Sequence, residues 1–203
     1  MNKAVKGGAP SVVTGEVRLI GGLWKRSKLP VLERPGLRPT PDRVRETLFN
    51  WLGQDLTGWR VLDAYAGTGA LGFEAASRGA AEVLMIEADA QALRNLRSVK
   101  ERLQATQVQL LSGNALAWLE RAGADRWDLV FLDPPFDPDL GTGVVEAALA
   151  AAALTLAECG RIYVEAPREL LAAPAGLLCH RHLKAGAVHA HLFLRAAEPA
   201  AEG

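Results

Sequence analysis

VLDAYAGTGALG, residues 61–72, opens as a strand and closes as a helix, with a glycine-rich turn between. Val61 and Leu62 begin a short apolar run. Gly67, Gly69 and Gly72 then make the G-x-G-x-x-G spacing of a nucleotide-binding βα junction. Glycine lets such a turn adopt left-handed backbone angles and brings the following helix close to the strand. Asp63 departs from the dinucleotide pattern. A carboxylate at the strand end repels a pyrophosphate seated on the helix N-terminus, but complements a cofactor with a free ammonium group and no phosphate. D-x-x-x-G-x-G therefore points to S-adenosylmethionine rather than NAD, by charge matching.

Downstream, short apolar strands alternate with helices. RVLDAY, EVLMIEA, VQLLSG, WDLVFLDPP and RIYVEA read as strands. GALGFEAASRG, DAQALRNLRSVKERLQ with Asp89 as its cap, NALAWLERAG and the Ala-rich LGTGVVEAALAAAALTLAECG read as helices. This alternation predicts a parallel sheet covered on both faces. LLCHRHLKAGAVHAHLFLR contains no helix and predicts an antiparallel hairpin turning at Ala185-Gly186. The fold class is α/β: Rossmann-like, with a mostly parallel seven-stranded sheet that ends in an antiparallel hairpin.

Upstream, EVRLIGGLWKRSKLPVL predicts a hairpin around Gly21-Gly22. RPTPDRVRETLFNWLG predicts a helix capped by Thr40, with Pro41 in its first turn. These form a small extension over residues 16–55, ahead of a catalytic domain over 56–196, with tails at 1–15 and 197–203.

The 203 residues suit one domain with an appendage. A net charge of zero conceals an asymmetry: between Arg18 and Arg45, eight Lys or Arg face two acids, Glu33 and Asp42. Arg18, Lys25, Arg26, Lys28, Arg38, Arg43 and Arg45 are therefore candidate contacts to a phosphate-bearing partner. Cys159 and Cys179 make no disulfide framework and read as reduced core residues of a cytosolic protein. No segment has the length and hydrophobicity of a membrane span, and the N-terminus has no signal-peptide pattern. The expected location is cytoplasmic, with no membrane partner. His180, His182, His189 and His191 all fall in the last hairpin. A turn at 185–186 pairs 182 with 189 and 180 with 191 on one outer face. Leu183, Val188, Leu192 and Leu194 on the other face already account for a half-buried hairpin, so no metal is expected.

Three more places carry chemistry. Glu87 ends the second strand, 24 residues after Asp63, where an acid can accept both hydroxyls of an adenosine ribose. After the third strand, Asn114 can accept from an adenine amino group while Ala115 packs on the ring. Asn114 can equally cap the next helix. DLVFLDPPFDP, residues 128–138, ends the fourth strand with Asp133, two prolines that lack N–H donors, Pro134 and Pro135, and the ring of Phe136. Asp133 and the Pro134 carbonyl are converging acceptors, suited to holding both hydrogens of a planar amine while its nitrogen attacks a methyl group. Phe136 can stack on the base that bears the amine. D-P-P by itself also reads as a strand-ending turn; the junction 70 residues upstream favours the catalytic reading.

VLDAYAGTGALGFEAASRGA, Glu87 and DLVFLDPPF together resemble the class I methyltransferases that modify exocyclic amines of bases. RLIGGLWKRSKL and RPTPDRVRETLFNWL are similar to the segments ahead of the catalytic domain in bacterial 16S ribosomal RNA guanine-N2 methyltransferases of the RsmD type. The resemblance implies a class I methyltransferase fold and S-adenosylmethionine held by Asp63, Tyr65, Gly67, Gly69, Glu87, Asn114 and Ala115. It implies catalysis by Asp133, Pro134, Pro135 and Phe136. The product implied is a guanine methylated at N2, in a loop of the small-subunit head near the peptidyl-site transfer RNA. The partner is then 16S rRNA or an assembling small ribosomal subunit, contacted through the basic block, and the protein is expected to be a monomer. Asn114, Tyr65 and Thr68 depart from the family, where Asp, Phe and Ser are commoner. Two other readings stay open. One is a DNA adenine-N6 methyltransferase, since DPPF serves any exocyclic amine; the other is an RNA-binding assembly factor without catalysis.

Overall fold

The computed structural model describes residues 13–32, 40–124, 126–135 and 143–196. Arg38, Phe136, the 197–203 tail and most of the 1–15 tail lie outside the described residues. A two-stranded sheet pairs β1 (Val13–Arg18) antiparallel with β2 (Lys28–Leu32). After α1 (Asp42–Leu52) the chain alternates through β3 (Arg60–Asp63), α2 (Ala70–Ser77), β4 (Glu82–Glu87), α3 (Ala90–Leu103) and β5 (Val108–Ser112). It continues with α4 (Ala115–Leu119), β6 (Trp127–Leu132), α5 (Gly143–Ala153), β7 (Leu156–Ala166), β8 (Leu177–Ala185) and β9 (Val188–Arg195). The seven-stranded sheet has the order β5-β4-β3-β6-β7-β9-β8. β3 to β7 run parallel, and β9 is antiparallel to both β7 and β8.

Successive side chains of the central strands enter opposite layers. Val61, Leu129, Phe131 and Tyr163 join Leu48, Phe49, Phe73 and Leu96 in one buried cluster, which also takes in Val17, Leu29 and Val31 of the small sheet. Leu62, Val130, Leu132, Ile162 and Val164 meet Leu119, Ala148 and Leu149 in the other. This is the period-2 geometry of strands buried on both faces. The N-terminal extension thus shares a core with the sheet. Strand order reverses between β3 and β6, which opens a crevice outside their carboxyl ends.

Helix α2 ties the extension down. The buried Glu74 carboxylate accepts from the Ile20 N–H at 2.8 Å and the Gly21 N–H at 2.7 Å, and pairs with Arg78 at 2.8 Å. Ser77 accepts the Trp24 N–H on Oγ at 2.9 Å and the Leu23 N–H on its carbonyl at 2.7 Å. The hairpin expected around Gly21-Gly22 forms, with a connection longer than a two-residue turn. The strands stop at Arg18 and resume at Lys28, and residues 19–27 form a loop whose backbone groups are satisfied by α2.

Other expectations are corrected. Thr40 does not cap α1, which follows Pro41 without a side-chain cap; its hydroxyl donates to Glu165 instead. The Ala-rich helix ends at Ala153 rather than near Gly160. The buried Thr155 returns its N–H and hydroxyl to the Ala152 carbonyl, and its own carbonyl accepts from the Arg126 and Trp127 N–H groups, which starts β7. Cys159, in the irregular part of β7, and Cys179, on the edge strand β8, are exposed free thiols rather than core residues.

The turn of the last hairpin falls one residue later than expected, which moves each cross-strand partner by two. Ala185 pairs with Val188, His182 with His191 and Lys184 with His189, while a bulge between Cys179 and Arg181 takes His180 out of the pairing. Nor is the histidine face wholly outside. His191 is buried, accepts the Leu170 N–H at 3.1 Å and stacks on His182 at 4.6 Å. Burial, then His182 and His189, pushes its pKa down to about 4. Glu169, His182 and His189 form one group with ligand atoms within 4.8 Å of one another, and the two imidazoles are hydrogen-bonded at 3.0 Å. Among the described residues, no helix is long and apolar enough to cross a membrane.

Candidate active site

Four parallel strands run from apolar residues into an acid at their carboxyl ends: Asp63 on β3, Glu87 on β4, Asp133 after β6 and Glu165 on β7. Asp63 is in register with Phe131, and Leu132 with Val164, so one step further Asp133 lies beside Glu165. Parallel strands in register send matched side chains to one face. Asp63, Asp133 and Glu165 therefore share the face that packs on α1 and α2.

Asp63 is 1% exposed, and its Oδ2 accepts the Gly72 N–H at 3.0 Å. Glycine at 72 lets the helix approach closely, since a Cβ there would stand 2.5 Å from Met85 Cε and 3.0 Å from Asp63 Oδ2. Gly69, at φ +79°, supplies the left-handed turn that starts α2. Burial pushes the Asp63 carboxyl up to about 7, against the pull of the Gly72 N–H, and the Glu87 charge adds to the rise. Asp133 is pushed well above the carboxylate range by burial, then by Glu165 and Asp63, with the Thr40 hydroxyl opposing. Glu165 is raised by burial, while the hydroxyls of Thr40 and Tyr163 oppose it. Both donate to its Oε1, at 2.7 and 2.9 Å. The charged groups that act on Asp63, Asp133 and Glu165 are one another and Glu87. Among the described residues the crevice gathers acids without a counter-cation, which suits a positively charged ligand.

Glu87 braces the glycine turn. Its Oε2 accepts the Gly67 N–H at 2.8 Å and its Oε1 the Asp89 N–H at 2.7 Å. It lines a cavity of 170 Å³ with Pro30, Leu32, Gly67, Thr68 and Asn95, so β2 supplies one wall of that cavity. Asn114 caps α4 by accepting the Ala117 N–H at 2.9 Å, with Ala115 buried beside it. Tyr65 is half-buried and its hydroxyl has no partner. Pro134 is buried and Pro135 exposed.

Arg18, Lys25, Arg26, Lys28 and Arg43 are exposed. Arg18, Lys25 and Arg26 line a 460 Å³ groove against α1, with Arg78 and the acids Asp42 and Glu46. Lys28 pairs with Glu16 at 2.6 Å. Arg45 is a correction. It is fully buried, donates from Nη2 to the Arg18 carbonyl at 3.0 Å and to Asp42 at 2.7 Å, and so cannot reach a phosphate.

Sequence reasoning missed Thr40, Tyr163 and Glu165. RIYVE repeats the apolar-then-acid pattern of RVLD, VLMIE and VFLD, and that signal could have found Glu165. Thr40 meets Glu165 across 125 residues, and no local pattern announces such a contact.

The profile of the family described as "Conserved hypothetical protein 95" matches residues 17–194. Ribosomal RNA small subunit methyltransferase D of Escherichia coli (strain K12) is 41% identical over 189 residues, covering 91% of this chain and 93% of that protein. The protein of the same name from Haemophilus influenzae is 46% identical over 125 residues, covering 60% of this chain and 65% of that protein. Among solved structures, the putative methyltransferase yhhF from Escherichia coli has a TM-score of 0.79 at 41% identity, covering 91% of this chain and 100% of that one. The putative methylase HI0767 from Haemophilus influenzae has a TM-score of 0.74 at 33% identity, covering 90% of this chain and 99% of that one.

Proposed function

The chain belongs to the conserved hypothetical protein 95 family, and from that premise we propose that it is an S-adenosylmethionine-dependent methyltransferase acting on N2 of a guanine in 16S ribosomal RNA. The observation that carries this reading is the acidic crevice where strand order reverses, with Asp63 and Asp133 ending neighbouring strands. S-adenosylmethionine supplies, when bound, an electrophilic methyl group on a sulfonium, and its ammonium group and ribose match the acids present. Asp63 holds the ammonium, Glu87 accepts from the ribose hydroxyls, and Gly67 and Gly69 let the backbone approach. Tyr65, Asn114 and Ala115 border the adenine.

Asp133 accepts one hydrogen of the target amine and the Pro134 carbonyl the other. This holds the nitrogen with its lone pair out of conjugation with the ring and in line for attack. The amine loses its proton after transfer, so no prior general base is needed. Pro135 and Phe136 flank the extruded base. Arg18, Lys25, Arg26, Lys28, Arg38 and Arg43 position the RNA through its phosphates, which carry no sequence information. The protein acts as a cytoplasmic monomer on an assembling small subunit.

Small subunits from cells lacking the enzyme, incubated with protein and methyl-labelled cofactor, should yield labelled N2-methylguanosine at one position of 16S RNA on mass-spectrometric mapping. Label in duplex-DNA adenine instead, or in no nucleoside, would overturn the proposal.

A further inference from the structure

The acceptors at the end of β6 already account for both hydrogens of one amine. Beside them stands another. Glu165 lies next to Asp133 in register and on the same face, and its Oε1 is fixed by two donors, the hydroxyls of Thr40 and Tyr163. Its Oε2 takes no hydrogen bond among the described residues. An oxygen left open on an otherwise buried carboxyl, beside the carboxylate assigned to the amine, suits a ligand with a further donor next to that amine. Among bases with an exocyclic amine, guanine alone carries one, N1–H beside N2. Adenine presents the N1 lone pair beside N6, and cytosine the N3 lone pair beside N4, and a carboxyl oxygen repels both.

Resting on the proposed guanine-N2 activity, we propose that Glu165 is the specificity-determining residue that accepts the guanine N1–H, held in place by Thr40 of the extension and by Tyr163. Accepting from N1–H also pushes electron density into the ring and toward N2, the poor nucleophile that must attack. Burial first and then the Glu165 charge raise the Asp133 carboxyl, and two base donors with a cationic cofactor would offset that repulsion.

The test uses small subunits reconstituted with RNA bearing either guanine or 2-aminopurine at the mapped nucleotide. 2-Aminopurine keeps the 2-amine but has a lone pair at N1. Wild-type protein should methylate guanine on the order of 10²-fold faster. Glu165→Gln keeps an oxygen for Thr40 and Tyr163 but offers its amide hydrogens where Oε2 stood. Guanine methylation should fall on the order of 10²-fold while 2-aminopurine is spared or improved, collapsing the ratio. Calorimetry with S-adenosylmethionine should give unchanged affinity for the variant. Equal loss on both bases, or an unchanged guanine rate, overturns the assignment. So does wild-type protein that treats the two bases alike, which needs no variant to fold. Wild-type protein inactive on both bases overturns this inference and the guanine-N2 reading together.

Discussion

Asp63 is a carboxyl under tension, buried and half-neutral near pH 7 because burial outweighs the backbone N–H groups of Gly72 and Tyr65 that favour its charge. Only its ionised form complements an ammonium group, so below about pH 7 cofactor binding must expel a proton. Affinity for S-adenosylmethionine should rise with pH up to roughly tenfold per unit at pH values well below 7, then level off above it. Calorimetry in buffers of different ionisation enthalpy will show the proton released, and Asp63→Asn should bind weakly with no slope. The role proposed for Asp133 differs, since it is assigned to the target amine rather than to the cofactor. Asp133→Ala should lower turnover about 10²–10³-fold while cofactor affinity stays near wild type. Residues of this kind were legible: Asp63, Glu87 and Asp133 announce themselves by ending apolar runs at fixed spacing from glycines. Thr40 was read as a helix cap because local chemistry favours that use of a threonine before a proline. Its real partner lies across the fold.

At the scale of elements, α2 carries more than its short length suggests. It starts directly after the glycine turn, with Gly69 as its N-cap, and its second turn holds the loop between β1 and β2 through Glu74 and Ser77. Glu74→Ala would strand two N–H groups and the Arg78 guanidinium, costing about 3–5 kcal/mol. The melting temperature should fall by roughly 6 °C or more. Differential scanning calorimetry checks this, and an unchanged melting temperature would remove α2 as the anchor. The strands and helices of the alternating region were readable because the hydrophobic period changes sharply between them. The run from Leu154 to Gly160 was not. Its composition continues a helix, and what ends the helix is Thr155, whose buried hydrogen bonds to Ala152, Arg126 and Trp127 depend on β6 being alongside. The displaced turn of the last hairpin has a similar origin: Ala185-Gly186 and Gly186-Ala187 are both acceptable turns, and pairing with β7 chooses between them.

Across the whole molecule, charge is sorted. Acids face the crevice, and exposed Arg18, Lys25, Arg26 and Arg43 lie on the extension and the first turn of α1. Replacing Lys25 and Arg26 with alanine should weaken RNA binding at every salt concentration. The slope of log affinity against log salt should flatten by roughly 1.5, at about 0.7–0.9 per phosphate contact. Filter binding measures both, and single-turnover methylation at saturating RNA should be unchanged. The basic block was plain from composition, but composition could not tell Arg45 from its neighbours. It stands one helical turn inside α1, on the face that meets the core, and serves the fold. The small sheet has a consequence for any attempt to redesign such enzymes. Its loop backbone is completed by groups on α2, and its β2 strand walls the cavity beside Glu87 and the glycine turn, so it is not a detachable reader. Grafted onto another catalytic body, it would arrive with its amides unanswered unless the recipient's helix were rebuilt to receive it.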